Sequence, residues 1–314
     1  MNLKLNRLIK NSSILSIPGI LSVFFSLISI PIHLKISGVE SYGNYIVFHF
    51  LLIVSLILNF GIGKSITVSI NNVPKKNKEI GYQGLKYTIV IILFLIITFY
   101  LLAFLKELFF IKNLIPYEII NLVAFGVIIS VLYASLEGIL QGNQKFKSLS
   151  ICNFIFFSLS ISLPSISLIF FKNFLLNDLV LFSLIIKFLT IFIMLIIIYK
   201  ENLVLRGKNR VLFINLRNNS RWLTLNNLLI QFYDLSDKYL VKIFLGPIAI
   251  ATYSIPQQLT GKLSIFSKGF SAFLLPNLSK KNQDIKSFNF TLKIFLIIIS
   301  IIIFFTFPLF DLFL

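Results

Sequence analysis

Residues 179–199 read LVLFSLIIKFLTIFIMLIIIY, an apolar run in which Lys187 is the sole charge. About 20 apolar residues in a row are what an α-helix needs to cross the hydrocarbon core of a bilayer. No period-two alternation runs through the segment, so it reads as a transmembrane helix and not as a half-buried strand. The whole 314-residue chain has the same character, with 57% hydrophobic residues, 13% charged residues and a mean hydropathy of +0.93. Soluble domains carry roughly 25% charged residues, so an ordinary soluble protein is excluded.

Outward from that stretch, apolar runs bounded by charges, prolines and asparagines place spans near residues 14–34, 45–70, 87–105, 119–140, 149–171, 179–199, 222–244, 248–275 and 292–313. The expected fold is an all-α polytopic membrane protein of about nine transmembrane helices. A net charge of +18 on a soluble domain would point to nucleic acid, but here the cations lie between spans and no nucleic-acid partner is expected. With the N-terminus in the cytoplasm, Lys4, Arg7 and Lys10 and the clusters within 75–86, 145–147, 200–221 and 280–293 all fall inside. Only Lys35, Lys106, Lys112, Lys172 and Lys242 fall outside, which is the bias of cytoplasmic loops toward positive charge. The first apolar run follows basic residues as a signal peptide would, but it has no small-residue cleavage site and reads as the first span. Cys152 is the single cysteine, so no intrachain disulfide or thiolate metal cluster can form, and it reads as a small buried residue.

Adding 208 to the residue number superposes Gly38 on Gly246, Tyr45 on Tyr253, Gly61 on Gly269 and Thr98 on Thr306 without a gap. The first three spans then fall on spans seven to nine in the same direction, a parallel repeat related by an axis along the membrane normal. This divides the chain into a six-helix N-terminal lobe, residues 1–208, and the first three helices of a C-terminal lobe, residues 209–314. The expectation is a two-lobed exporter-type bundle with a truncated second lobe. The missing helices would make this a fragment or come from another polypeptide.

Lys64, Lys187, Lys238, Lys262 and Lys268 fall inside apolar spans, where a central charge costs about 2.5–3.5 kcal/mol on insertion scales. In span eight, Gln257, Gly261, Ser264, Lys268 and Ser271 share a helical face with Gln258 and Lys262 beside it. Span seven repeats the pattern with Asn227, Gln231, Asp234 and Lys238, with Asp237 adjacent, and span one with Ser22, Ser26, Ser29 and His33. These stripes are expected to converge on a polar lumen. Lys262 sits near mid-span with no acidic residue on its own helix and is the leading ligand-facing candidate. Lys268 is nearer the cytoplasmic end, where it can snorkel, and Asp234 with Lys238 can form an i, i+4 ion pair. Glu137 is expected to pair with a loop lysine. Pro18, Pro31, Pro164, Pro256 and Pro308 interrupt spans and allow kinks.

No GxxxxGK[ST] or HExxH is present, the Gly61–Gly63 pair is too short for a phosphate loop, and His33 and His49 are the two histidines. Neither a catalytic residue, nor a cofactor, nor a metal site is expected, and the chain does not read as an enzyme.

GVESYGNY at 38–45, EGILQGNQKF at 137–146, DKYLVKIFLGPIAIATYS at 237–254 and LLPNLSKK at 274–281 resemble the bacterial O-antigen and polysaccharide flippases. These belong to the multidrug, oligosaccharidyl-lipid and polysaccharide exporter superfamily, whose members usually have twelve or more helices in two lobes. The resemblance implies a multi-pass protein of the bacterial inner membrane. It implies transfer of an undecaprenyl-diphosphate-linked oligosaccharide, an O-antigen or other lipopolysaccharide or polysaccharide repeat unit, from the cytoplasmic to the periplasmic face. The lipid-linked glycan, membrane lipids and other polysaccharide assembly proteins are the partners it implies. A diphosphate cannot cross hydrocarbon unaided, so a hydrated lumen with cations is the physical requirement. Lys262, Lys268 and Gln258 suit the anionic head, with Lys64 and the Asp234, Asp237 and Lys238 group as further substrate-binding candidates. Asp237 and Lys238 match the DK of the family pattern. An ion-coupled multidrug exporter using Asp234 and Asp237, or an inactive truncated remnant, are the alternatives.

Overall fold

The computed structural model describes residues 2–104, 120–171, 173–205 and 207, scattered positions between 216 and 254, and residue 293. Among the described residues every regular element is helical. They are α1 (Asn2–Leu58), α2 (Ile62–Asn72), α3 (Asn77–Phe104), α4 (Ile120–Gly142), α5 (Phe146–Asn153), a π-helical segment (Phe154–Leu159), α6 (Ser160–Ser167) and α7 (Leu176–Lys200). Four helical stretches, residues 74–98, 121–142, 146–167 and 176–200, are long and apolar enough to cross a bilayer. The fold is that of a multi-pass membrane protein.

α1 is two helices joined without a loop at Gly38, whose φ of 84° and ψ of 169° lie in a region open essentially to glycine alone. A Cβ there would meet nothing within 4 Å, so backbone conformation and not space demands the glycine. Gly246, its partner under the 208-residue shift, has a φ of 83° and equally open surroundings.

The second arm of α1 and α2 occupy the apolar run read from the sequence as one helix, but Phe60 and Gly61 break it with φ values of 50° and 62°. Asn59 makes the break, because its side-chain oxygen accepts the Gly61 N–H at 2.9 Å and replaces a helical partner. α3 starts at Asn77, well before the expected residue 87, since Pro74 opens a 3₁₀ turn and the polar NKEIGYQG segment winds as helix outside the purely apolar run. α5, the π segment and α6 form one continuous rod. Pro164, inside α6, removes a backbone donor, and Tyr45 Oη donates to the nearby Ile161 carbonyl at 2.9 Å.

One apolar core, including Phe48, Ile66, Tyr133, Leu140, Cys152 and Met194, runs through all these helices. Cys152 is a free, fully buried thiol, as its apolar setting suggests. α2 and α4 cross where Gly63 and Gly138 face each other, and a Cβ on Gly138 would fall 2.8 Å from the Gly63 Cα. Thr67 Oγ1 donates to the Gly138 carbonyl at 3.2 Å across the same crossing, so small residues let the two backbones approach. Opposite faces of α3 and α7 show Ile89, Leu93, Ile97, Ile185, Phe188 and Phe192 to the surroundings, the apolar coat that lipid covers.

Candidate functional site

Lys64 is the one sequence-derived site candidate that falls among the described residues. Asp234, Asp237, Lys238, Gln258, Lys262 and Lys268 lie outside them, as do Pro256 and Pro308. Lys64 is in the first turn of α2, just beyond the Gly61 break, and is exposed. The residues flanking it touch the chain that begins span seven. A Cβ on Gly61 would come within 2.7 Å of Leu223 Cβ, and Ser65 Oγ donates to the Leu216 carbonyl at 3.0 Å. Lys64 therefore stands at the edge of the seam that α2 makes with Leu216, Leu223 and Thr224.

Below it, Glu137 of α4 is half-buried and hydrogen-bonds Asn153 at the end of α5, close enough to Lys64 for direct electrostatic attraction. Tyr133, one turn earlier on α4, donates its hydroxyl to Asn153 Oδ1. The expected loop partner for Glu137 is corrected by this arrangement: the loop lysine Lys145 pairs with Glu201, while Glu137 turns inward to Asn153 and Lys64. Helical phase explains it, because Glu137 is one turn after Tyr133 on the face of α4 that packs on α5.

A second polar group lies deeper, where α1, α6 and α7 meet. Ser22, Ser26, Ser29 and His33 are buried. Ser22 and Ser26 donate to the carbonyls of Gly19 and Ser22, both at 2.7 Å, which leaves the hydroxyls satisfied within their own helix. His33 Nδ1 is 2.9 Å from Ser165 Oγ of α6. Tyr42, Tyr45 and His49 line the continuation of this face, with the Tyr45 ring 5.2 Å from His33 and 4.6 Å from His49. From α7, Lys187 is 5% exposed, with Nζ 5.3 Å from the Phe156 ring centre of the π segment. Phe156 in turn stacks on Tyr133 at 3.7 Å. The sequence carried a signal for this group, a lysine in the most apolar stretch and both histidines of the chain. Nothing in the helical periodicity joined three residues spread over 154 positions of chain, from His33 to Lys187.

Comparison with known proteins bears on the family and the fold. The sequence matches the family profile described as "Polysaccharide biosynthesis protein" over residues 8–282. Among solved structures, the fold is similar to an outward-facing multidrug resistance MATE family transporter of the MOP superfamily, with 17% identity and a TM-score of 0.60 over 84% of this chain. It is also similar to a MATE protein in complex with MaD3S, with 18% identity and a TM-score of 0.61 over 86% of this chain. A third similar chain, described as "protein A", has 12% identity and a TM-score of 0.68 over 86% of this chain. This chain spans 65%, 63% and 65% of the lengths of protein A, the outward-facing transporter and the MaD3S complex. No curated protein matches it.

Proposed function

Because the chain belongs to the polysaccharide biosynthesis protein family, we propose that it flips a lipid-diphosphate-linked oligosaccharide from the cytoplasmic to the outer face of a bacterial inner membrane. The family match over residues 8–282 carries the reading, and the exporter-type fold, shared with transporters, supports it. The cargo is an undecaprenyl-diphosphate-linked repeat unit of an O-antigen or other surface polysaccharide. Residues 1–208 form one lobe and residues 209–314 the start of a second. The matching positive φ values at Gly38 and Gly246 are what a repeated interhelical junction requires.

The chemistry follows from the cargo. The polyprenyl tail stays in lipid, whereas the diphosphate and sugars need a wet path with cations. Lys262, Lys268 and Gln258 on one face of span eight take the diphosphate, and Lys64, at the seam, meets it from the opposite lobe. Asp234, Asp237 and Lys238 set the charge of span seven. The lobes rock about the seam, and an inside-negative potential favours outward movement of an anion by about 2.3 kcal/mol per charge per 100 mV.

Expression of the complete reading frame in a strain lacking its own lipid-linked oligosaccharide flippase is the test. Restored surface polysaccharide supports the assignment, and continued accumulation of the lipid-linked precursor contradicts it. The two acidic residues of span seven, Asp234 and Asp237, favour one second reading, export of a cationic compound in exchange for an ion. Asp234-dependent efflux of a cationic dye would select it.

A further inference from the structure

We propose that Glu201, Asn202, Leu203, Val204, Leu205 and Gly207 form a strap at the cytoplasmic end that stays docked on the first bundle throughout transport and so sets the length of the tether between the lobes. The proposal uses the transport reading only for the rocking of those lobes.

Two helix ends begin the strap. α4 and α7 both close with a left-handed residue followed by a six-to-one backbone bond, a common helix stop. In α4, Gln144 has a φ of 58° and the Lys145 N–H donates to the Leu140 carbonyl at 2.9 Å. In α7, Asn202 has a φ of 49° and the Leu203 N–H donates to the Ile198 carbonyl at 3.1 Å. The two caps meet, since Lys145 pairs with Glu201. The start of α3 joins them, with Asn77 Nδ2 donating to Asn143 Oδ1 at 2.9 Å.

The α7 cap turns the chain back along α3. Leu203 is 6% exposed and belongs to the main apolar core. Gly81 makes room for it, because a Cβ there would lie 3.2 Å from Val204 Cγ2 and 3.3 Å from the Leu203 carbonyl oxygen. The Leu205 N–H donates to the Lys78 carbonyl at 3.2 Å, and Gln83 Nε2 donates to the Gly207 carbonyl. Further on, the chain meets the same bundle at Leu216, whose carbonyl accepts Ser65 Oγ of α2. Each anchor of the strap lies within the first bundle, so rocking of the second lobe need not break any of them. The exposed Lys145–Glu201 pair contributes little to holding it, and buried Leu203 in the Gly81 notch contributes most.

A pinned linker is a short one. Releasing residues 202–207 would add about 20 Å to the tether, at roughly 3.4 Å per extended residue. A longer tether lowers the effective concentration of the second lobe at α2.

Cys152 is the single cysteine, so a Cys152→Ser background admits a defined pair, Lys145→Cys with Glu201→Cys, bridged by a short, cleavable thiol cross-linker. In proteoliposomes the bridged protein should move the lipid-linked oligosaccharide within about twofold of its unbridged rate. A loss of about tenfold or more on bridging, regained when the bridge is cleaved, overturns the docked strap. Hydrogen exchange gives a readout that needs no cargo. The Leu203 and Leu205 amides should exchange at least about a hundredfold more slowly than in an unstructured peptide, with or without the oligosaccharide. Leu203→Ser should speed both amides and lower transport several-fold, and Leu203→Met should restore both. Wild-type amides that exchange freely, or slow exchange that Leu203→Ser leaves unchanged, overturns the strap. Slow, Leu203-dependent exchange in a wild-type protein that moves no oligosaccharide supports the strap and counts against the cargo.

Discussion

Glu137 of α4 lies within electrostatic reach of Lys64 at the seam. Glu137→Gln keeps a hydrogen-bonding group for Asn153 but removes the attraction. We expect it to lower transport several-fold while protein yield and thermal stability hold, a combination measurable on one preparation. Lys64→Ala removes the cation itself and should lower transport about tenfold, equivalent to about 1.4 kcal/mol of transition-state stabilisation. Lys262 offers the sharpest contrast. Lys262→Ala should reduce transport far more than Lys281→Ala, a cation placed in a cytoplasmic loop. Equal, near-normal rates for both would remove span eight from the lumen.

At the scale of elements, the close crossing of α2 and α4 depends on Gly63 and Gly138 lacking side chains. Gly138→Ala would drive a Cβ against the backbone of α2, and an overpacked contact of this kind costs about 1–3 kcal/mol. The thermal midpoint of the detergent-solubilised protein should fall accordingly. Gly38→Ala meets open space but an inaccessible backbone region, so it should destabilise by about 1–3 kcal/mol through conformation alone. These effects separate packing from backbone strain, because enlarging the neighbours of Gly38 should not matter.

The same elements show what the sequence made legible. Apolar runs of span length located the crossing helices from residue 77 to residue 200, since length and hydropathy alone decide them. The break at Asn59–Gly61 lay inside a run read as one helix, because single polar residues such as Asn59 do not by themselves end an apolar run. The serine stripe of span one was visible as a polar face, and in the structure its hydroxyls bond their own helix and the face is buried. Polarity on a helix announces a face, and only tertiary packing decides what that face meets. Glu137 illustrates the point: its charge was conspicuous, and its partner came from another helix.

For the whole molecule, the family and the exporter-type fold agree on a transporter-like architecture, and the cargo is the step that chemistry must test. An anionic lipid-linked head asks for cations on both sides of a seam, whereas a cationic drug asks for carboxylates. The candidate residues contain both kinds, with lysines outnumbering aspartates. Transport should therefore respond to the membrane potential, faster with the cytoplasmic side negative, as expected for net movement of an anion.

The most direct measurement reconstitutes the protein from its complete reading frame into liposomes with an undecaprenyl-diphosphate-linked oligosaccharide, and follows loss of the glycan from one leaflet with an impermeant glycosidase. The account predicts movement across the bilayer that Lys262→Ala suppresses and a cationic dye does not inhibit. Dye transport dependent on Asp234, with no movement of the glycan, would contradict it.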